Sequence, residues 1–235
     1  MKAVILAGGY GTRLAEETKI KPKPLVKIGK KPIIWHIMKI YSYYGIKDFI
    51  ICLGYKGALL KKELNKLNIN KSWNLKYVNT GLKTMTGGRL KRIQNYISKD
   101  KNFCLSYGDG LSDVNLNRLI KFHKENRKIA TLTAVKYKNP KGVLSIDKKS
   151  KIKTIKEKPI EYINGGFFVL STKVFKYLKN DNTIFEKDCL PKLTKINQLL
   201  AFKHNGFWAC MDTLREKKEL NKIWRSKQKA WKIWL

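Results

Sequence analysis

Apolar residues in this chain recur with two periods. Short, mainly apolar runs at 49–53 and 103–107 read as buried strands, and 2–6, 75–78, 130–135 and 167–170 as further strand candidates. Longer stretches repeat at helical spacing. Ile33, Ile34, Ile37, Met38, Tyr41 and Tyr44 mark one side of a helix that Pro32 is suited to open. Residues 56–66, 115–126, 172–179 and 185–197 read as further helices, and 198–204 as a strand. Residues 68–73 are polar and loop-like, while 142–146 and 152–155 form a hairpin-like pair. A terminal helix from Leu214 carries Trp224, Trp231 and Trp234 among lysines. The opening order, strand–helix–strand–helix–strand, predicts an α/β fold: a Rossmann-like, mixed, mostly parallel sheet flanked by helices. No linker or repeat divides it, so one domain over 1–235 is expected.

Composition changes this picture in one respect. The formal net charge is +34, which invites a nucleic-acid reading. The cations argue against it: 44 are Lys and 7 are Arg, spread over nearly the whole chain, whereas phosphate and base recognition favours Arg forks. Lys, Ile and Asn are all abundant and share A/T-rich codons, so a biased genome is the simpler source of the charge. The rest is ordinary. Hydrophobic residues make up 43%, and no apolar run reaches membrane-spanning length. The short apolar start has no basic n-region and leads into a glycine loop, which is not the pattern of a signal peptide. Four isolated cysteines at 52, 104, 189 and 210 read as reduced thiols of a cytoplasmic protein.

The chemistry concentrates where strands end. The first runs into Leu6-Ala7-Gly8-Gly9-Tyr10-Gly11-Thr12-Arg13, followed by Lys21-Pro22-Lys23-Pro24. Glycines let backbone N–H groups approach a phosphate without an intervening side chain. The loop is not a P-loop, because it lacks Gly-Lys-Ser/Thr, and Leu14 stands where the dinucleotide fingerprint needs its third glycine. A second glycine loop, with Thr84, Thr86, Gly87 and Gly88, feeds a helix bearing Arg89 and Arg92. The strand at 103–107 ends in Gly108-Asp109-Gly110. A carboxylate there lies where open α/β sheets bind ligands, and it suits Mg²⁺. Asp113 reads as a helix cap, and Asp212 by itself would also pass as one. His36, alone on its helix, reads as structural.

The first glycine loop with its Lys-Pro-Lys-Pro resembles the signature of the sugar-1-phosphate nucleotidylyltransferases, and the loop at 84–92 resembles that of the cytidylyltransferases among them. The resemblance covers essentially the whole chain and implies the nucleotide-diphospho-sugar transferase fold. It implies that Leu6, Ala7, Gly8, Gly9, Gly11, Thr12 and Gly108 bind the nucleotide, with Thr84 and Thr86 at the cytosine and Arg89 on the nucleotide. It makes Arg13 and Lys23 catalytic and Asp109 and Asp212 the Mg²⁺ ligands. It puts Glu157, Lys158, Asn164 and Gly165 in the sugar-phosphate pocket. The implied reaction joins CTP and glucose 1-phosphate into CDP-glucose, a precursor of deoxysugars and surface polysaccharide. UTP, dTTP or another sugar phosphate is the alternative, and a basic nucleic-acid-binding protein or a catalytically silent nucleotide-sugar sensor is a more distant one. The terminal Trp-rich segment resembles the family's tail, which points to packing on the domain or on another subunit of a homo-oligomer. The connection after the helix ending near Lys66 is shorter than the family's.

Overall fold

In the computed structural model, residues 1–68, 71–97, 99–139, 141–226 and 230–234 are described. Part of the expected 68–73 loop therefore lies outside the described residues. In chain order the strands are β1 (Lys2–Leu6), β2 (Lys27–Ile28), β3 (Lys31–Pro32), β4 (Asp48–Leu53), β5 (Asn74–Asn79), β6 (Asn102–Tyr107), β7 (Gly110–Ser112), β8 (Ala130–Lys138), β9 (Val143–Ile146), β10 (Ile152–Lys156), β11 (Ile160–Ser171), β12 (Leu199–His204) and β13 (Trp208–Cys210). The α-helices are α1 (Ala15–Thr18), α2 (Ile33–Tyr43), α3 (Gly57–Leu67), α4 (Thr86–Arg92), α5 (Leu116–Asn126), α6 (Leu190–Lys195) and α7 (Leu214–Arg225).

Seven strands form the central sheet in the order β12-β8-β11-β6-β1-β4-β5. β1 runs parallel to β4 and β6, and β5 runs parallel to β4. β11 is antiparallel to both β6 and β8, which makes the sheet mixed. Strand alternation explains why the central strands read as unbroken apolar runs. Ala3 and Ile5, Phe49 and Ile51, Cys104, and Phe167 and Val169 enter one core with Ile33, Ile37 and Tyr41 of α2 and Leu60 of α3. Their neighbours Val4, Ile50 and Cys52, Phe103 and Leu105, and Phe168 and Leu170 enter the opposite core with Leu90 of α4 and Leu193 of α6. Successive side chains point to opposite faces, and helices cover both, so every position must be apolar. Each such residue contributes roughly 1.5–3 kcal/mol by leaving water.

Several elements depart from expectation. Residues 172–177 are a 3₁₀ turn, and 185–197 is interrupted: Phe185–Cys189 is a π-helical turn before α6 begins at Leu190. The helical backbone runs on through Cys189 and Leu190, and Pro191, which has no N–H to donate, stands where the π turn passes into α6. Asp113 is not the α5 cap. Asn115 holds that place, accepting from the Arg118 N–H at 3.0 Å, and Asp113 pairs with His204 at 2.9 Å instead. Thr213, not Asp212, caps α7, with Glu216 completing a capping box. α7 stops at Arg225, so Trp231 and Trp234 lie beyond it. They pack on the domain itself, around His36 and Trp35 of α2. His36 is buried, donates from Nε2 to the Ile28 carbonyl at 3.0 Å, and has burial push its pKa down to about 4, so its structural reading stands.

Candidate active site

The carboxyl ends of β1, β4, β5 and β6 lie at one edge of the sheet, and the loops leaving β1, β5 and β6 wall a cavity of about 980 Å³. Leu6, Gly8, Gly9, Arg13, Thr84, Thr86, Arg89, Gly108, Asp109, Asn164, Gly165 and Asp212 line it. Ala7, Gly11, Thr12 and Lys23 line a smaller recess of about 330 Å³ that shares Asp109 and Asp212 with it. Residues separated by two hundred positions therefore converge on one cleft, as ligand sites at the ends of parallel strands do.

The floor is a charge cluster. Lys23 Nζ lies 2.6 Å from Asp109 Oδ2 and 2.6 Å from Asp212 Oδ1. Arg13 Nη1 is 2.8 Å from the other Asp212 oxygen. Burial works to lower the Lys23 pKa, but the charges of Asp109 and then Asp212 outweigh it, so the net shift is upward and the ammonium is secured. Local backbone fixes each member. Pro22 in extended conformation opens the short turn that presents Lys23. The Asp109 carbonyl accepts from the Met211 N–H at 3.0 Å, and Glu216 accepts from the Asp212 N–H at 2.7 Å. Gly11 sits at φ 66°, where a side chain is strained, and this turns the loop so that Arg13 follows onto Asp212.

Arg89, expected on the nucleotide, has protein partners as well. It lines the cavity, but its guanidinium binds the protein: Nη1 donates to Thr80 Oγ1 at 2.7 Å and the Gly81 carbonyl at 2.8 Å, and Nη2 to the Gly8 carbonyl at 3.0 Å. It is a strut tying the first glycine loop to the second. A side chain at Gly8 would occupy the space of that guanidinium, which is why the position needs glycine.

On the other wall, β11 breaks register with β8 between Asn164 and Phe168, and the bulge turns Gly165 and Gly166 into the cleft. Asn164 accepts from the Gly166 N–H at 2.9 Å and donates to the Tyr107 hydroxyl at 3.2 Å. Trp208 Nε1 donates to the Gly165 carbonyl at 2.7 Å. Glu157 and Lys158 are not gathered in. They sit exposed at the turn between β10 and β11, with 3.9 Å between Nζ and Oε1, and do not line the cavity. Lys158 adopts φ 45°, a strained conformation for a non-glycine residue.

Sequence reasoning missed three contributors. From the sequence Tyr107 reads only as a strand end, and Trp208 and Glu186 carry no role. Glu186 accepts hydrogen bonds from Thr86 at 2.7 Å and from the Tyr107 hydroxyl. The pairing joins positions a hundred residues apart, and no local pattern signals it.

Among the described residues no group of three or more His, Cys, Asp or Glu could hold a metal. Asp109 and Asp212, brought to one ammonium, form a two-carboxylate set. That donor set fits Mg²⁺, which takes one or two carboxylates and completes its shell with phosphate oxygens and water.

A cleft at the carboxyl ends of parallel strands, with a glycine loop over a lysine and two aspartates, is the site of a nucleotidyltransferase. A family model described as nucleotidyl transferase matches residues 2–225, and the chain belongs to that family. It is 46% identical to the glucose-1-phosphate cytidylyltransferase of Salmonella typhimurium, over all of both chains. That alignment spans 257 positions against 235 residues here, so part of the relative has no counterpart in this chain. A mannose-1-phosphate guanyltransferase of Yarrowia lipolytica is 34% identical over 88% of this chain and 60% of its own. Among solved structures, HddC from Yersinia pseudotuberculosis superposes with a TM-score of 0.76 at 27% identity, over 95% of this chain and 99% of its own.

Proposed function

We propose that the chain transfers a cytidylyl group from CTP to α-D-glucose 1-phosphate, giving CDP-glucose and pyrophosphate. The observation that carries the reading is the Lys23–Asp109–Asp212 cluster on the cleft floor, in a chain 46% identical end to end to a glucose-1-phosphate cytidylyltransferase. A phosphate oxygen of the sugar phosphate attacks the α-phosphorus in line, and pyrophosphate leaves. The nucleophile is already anionic near neutral pH, so the residues need only position two polyanions and offset developing charge. Lys23 sits at the reacting phosphates, and Arg13 stabilises the departing pyrophosphate. The glycine loop cradles the triphosphate, Lys158 pairs with the sugar phosphate from the exposed turn, and Glu157 and Asn164 hydrogen-bond sugar hydroxyls. Asp109 and Asp212 would hold Mg²⁺, which would supply charge neutralisation to the reacting phosphates. The reaction belongs to the cytoplasm, a reducing compartment, in keeping with the four free cysteines.

Purified protein mixed with CTP, glucose 1-phosphate and MgCl₂ is expected to form CDP-glucose, identified by mass. Chelation with EDTA abolishes formation, and excess MgCl₂ restores it. Nucleotide binding with no CDP-glucose at any MgCl₂ concentration contradicts the reading.

A further inference from the structure

Thr86 opens α4 at the cavity wall. Its hydroxyl has one proton to give and two lone pairs. The Phe185 N–H occupies one lone pair at 2.9 Å. The proton goes to Glu186 Oε2 at 2.7 Å. One lone pair is left, so towards a ligand the hydroxyl accepts.

The neighbours keep it so. A carboxylate only accepts, so in the Thr86–Glu186 pair the threonine must be the donor. The second Glu186 oxygen is filled by the Tyr107 hydroxyl. Burial raises the Tyr107 pKa well above the usual tyrosine value, and the charge of Glu186 pushes the same way, so Tyr107 keeps its proton. Asn164 Nδ2 donates into the same phenol oxygen at 3.2 Å, which directs the phenol proton towards Glu186. Glu186 itself stands in the π-helical turn Phe185–Cys189, whose geometry is secured by Asp188 accepting from the Ile184 N–H at 2.6 Å. Such turns recur at functional sites.

The geometry points to Glu186 as a positioning residue that sets base specificity: by holding the Thr86 hydroxyl as an acceptor, it makes the cleft prefer a base edge that donates an amino proton. Cytosine presents its 4-amino group, where uracil and thymine present a 4-oxo acceptor. An oxo group beside Thr86 would meet a lone pair with no proton between them. A site built to bond one edge rejects the analogue lacking it by orders of magnitude. This inference rests on the CTP reading above, because it takes the cavity beside Thr86 as the seat of the base.

The test is the ratio of kcat/KM for CTP to that for UTP, at saturating glucose 1-phosphate, in wild type, Glu186→Gln and Thr86→Val. In Glu186→Gln the amide keeps the shape, and its NH₂ can donate to Thr86, which frees the threonine proton to face the cavity. The expected result is a ratio lowered by about tenfold or more, with kcat/KM for UTP itself rising. A purely structural defect would not produce that gain. Thr86→Val is expected to lower the ratio chiefly through lost CTP activity. A Glu186→Gln ratio within about twofold of wild type, or parallel loss with both nucleotides, overturns the inference. If Glu186→Gln loses its cooperative thermal transition, Thr86→Val decides, and an unchanged ratio there overturns it. A wild type that prefers UTP sinks the CTP reading together with this one. A wild type that prefers CTP, with unmoved variant ratios, sinks this one alone.

Discussion

The two ends of the cleft are built by opposite means. At the phosphate end, Lys23, Asp109 and Asp212 are locked to one another, the largely exposed Arg13 side chain pairs with Asp212, and the Arg89 strut joins the two glycine loops behind them. At the sugar end, Glu157 and Lys158 hang in solvent at the foot of the β9–β10 ribbon. The ribbon shows Leu144, Ile146, Ile152 and Ile155 to water along one face. The difference teaches where preorganisation is worth its cost. Charge that must meet a transition state is held in advance, because reorganising it during the reaction would raise the barrier. Charge that only recruits a substrate can be ordered by that substrate.

The sharpest way to break the comparison is at the phosphate end. Lys23→Ala or Asp109→Asn is expected to lower kcat by about a thousandfold or more while the far-ultraviolet circular dichroism stays native. Near-normal kcat in either folded variant would contradict the role assigned. Arg89→Ala attacks the strut. It removes the charged hydrogen bonds to Thr80 and to the Gly8 and Gly81 carbonyls from a buried site, while the Gly8 carbonyl keeps the Tyr55 N–H, and is expected to cost about 1.5–3 kcal/mol in chemical denaturation, with KM for CTP rising. A variant with unchanged denaturation midpoint would show that the loops hold without it.

Acid tests the scaffold behind that end. His36 donates to Ile28, just after the turn that carries Lys23, and His123 accepts or donates to Thr131 and Asn102 in a buried site. Burial pushes both pKa values down to about 4. A base whose folded pKa is depressed stays neutral in the fold while the unfolded chain takes up the proton. Stability is therefore full above pH 6.5 and falls as pH drops towards 4, by about 3 kcal/mol per histidine. Urea denaturation at pH 7.5 and pH 4.5 checks the sign, and His36→Gln should flatten part of the slope. The smallest effect belongs to the sugar end: Lys158→Ala should raise KM for glucose 1-phosphate by about tenfold and leave the melting temperature unmoved, since the ion pair of Lys158 with Glu157 is long, at 3.9 Å, and exposed.

Much of the framework was legible because it is dictated locally. Double-sided burial keeps runs such as those of β1, β4 and β6 almost wholly apolar, with Ser106 a buried exception, and a strand ending in glycines or in Gly-Asp-Gly marks the sheet edge where ligands bind. Convergence was legible only through resemblance: nothing local puts Asp212 beside Asp109, and the chain brings them together by pairing β13 with β7. Arg89 shows a different limit. The resemblance puts Arg89 on the nucleotide, and its place beneath the Gly8 and Gly81 carbonyl groups also makes it a strut, which no local pattern signals. Glu186 left no local trace, because its partners Thr86 and Tyr107 come from other elements and its π-helical turn reads as ordinary helix. Asp113 failed as a cap because Asn115, two residues later, supplies the side-chain acceptor first, leaving Asp113 to His204.

The central claim is that the phosphate end supplies the chemistry and the sugar end supplies binding. Single-turnover pyrophosphate release with saturating CTP, followed over increasing glucose 1-phosphate in Asp109→Asn and Lys158→Ala, tests it directly. The account predicts that Lys158→Ala regains the wild-type rate at high glucose 1-phosphate, while Asp109→Asn stays slow at every concentration. A Lys158→Ala rate that remains depressed at saturation, or an Asp109→Asn rate that recovers, would contradict it.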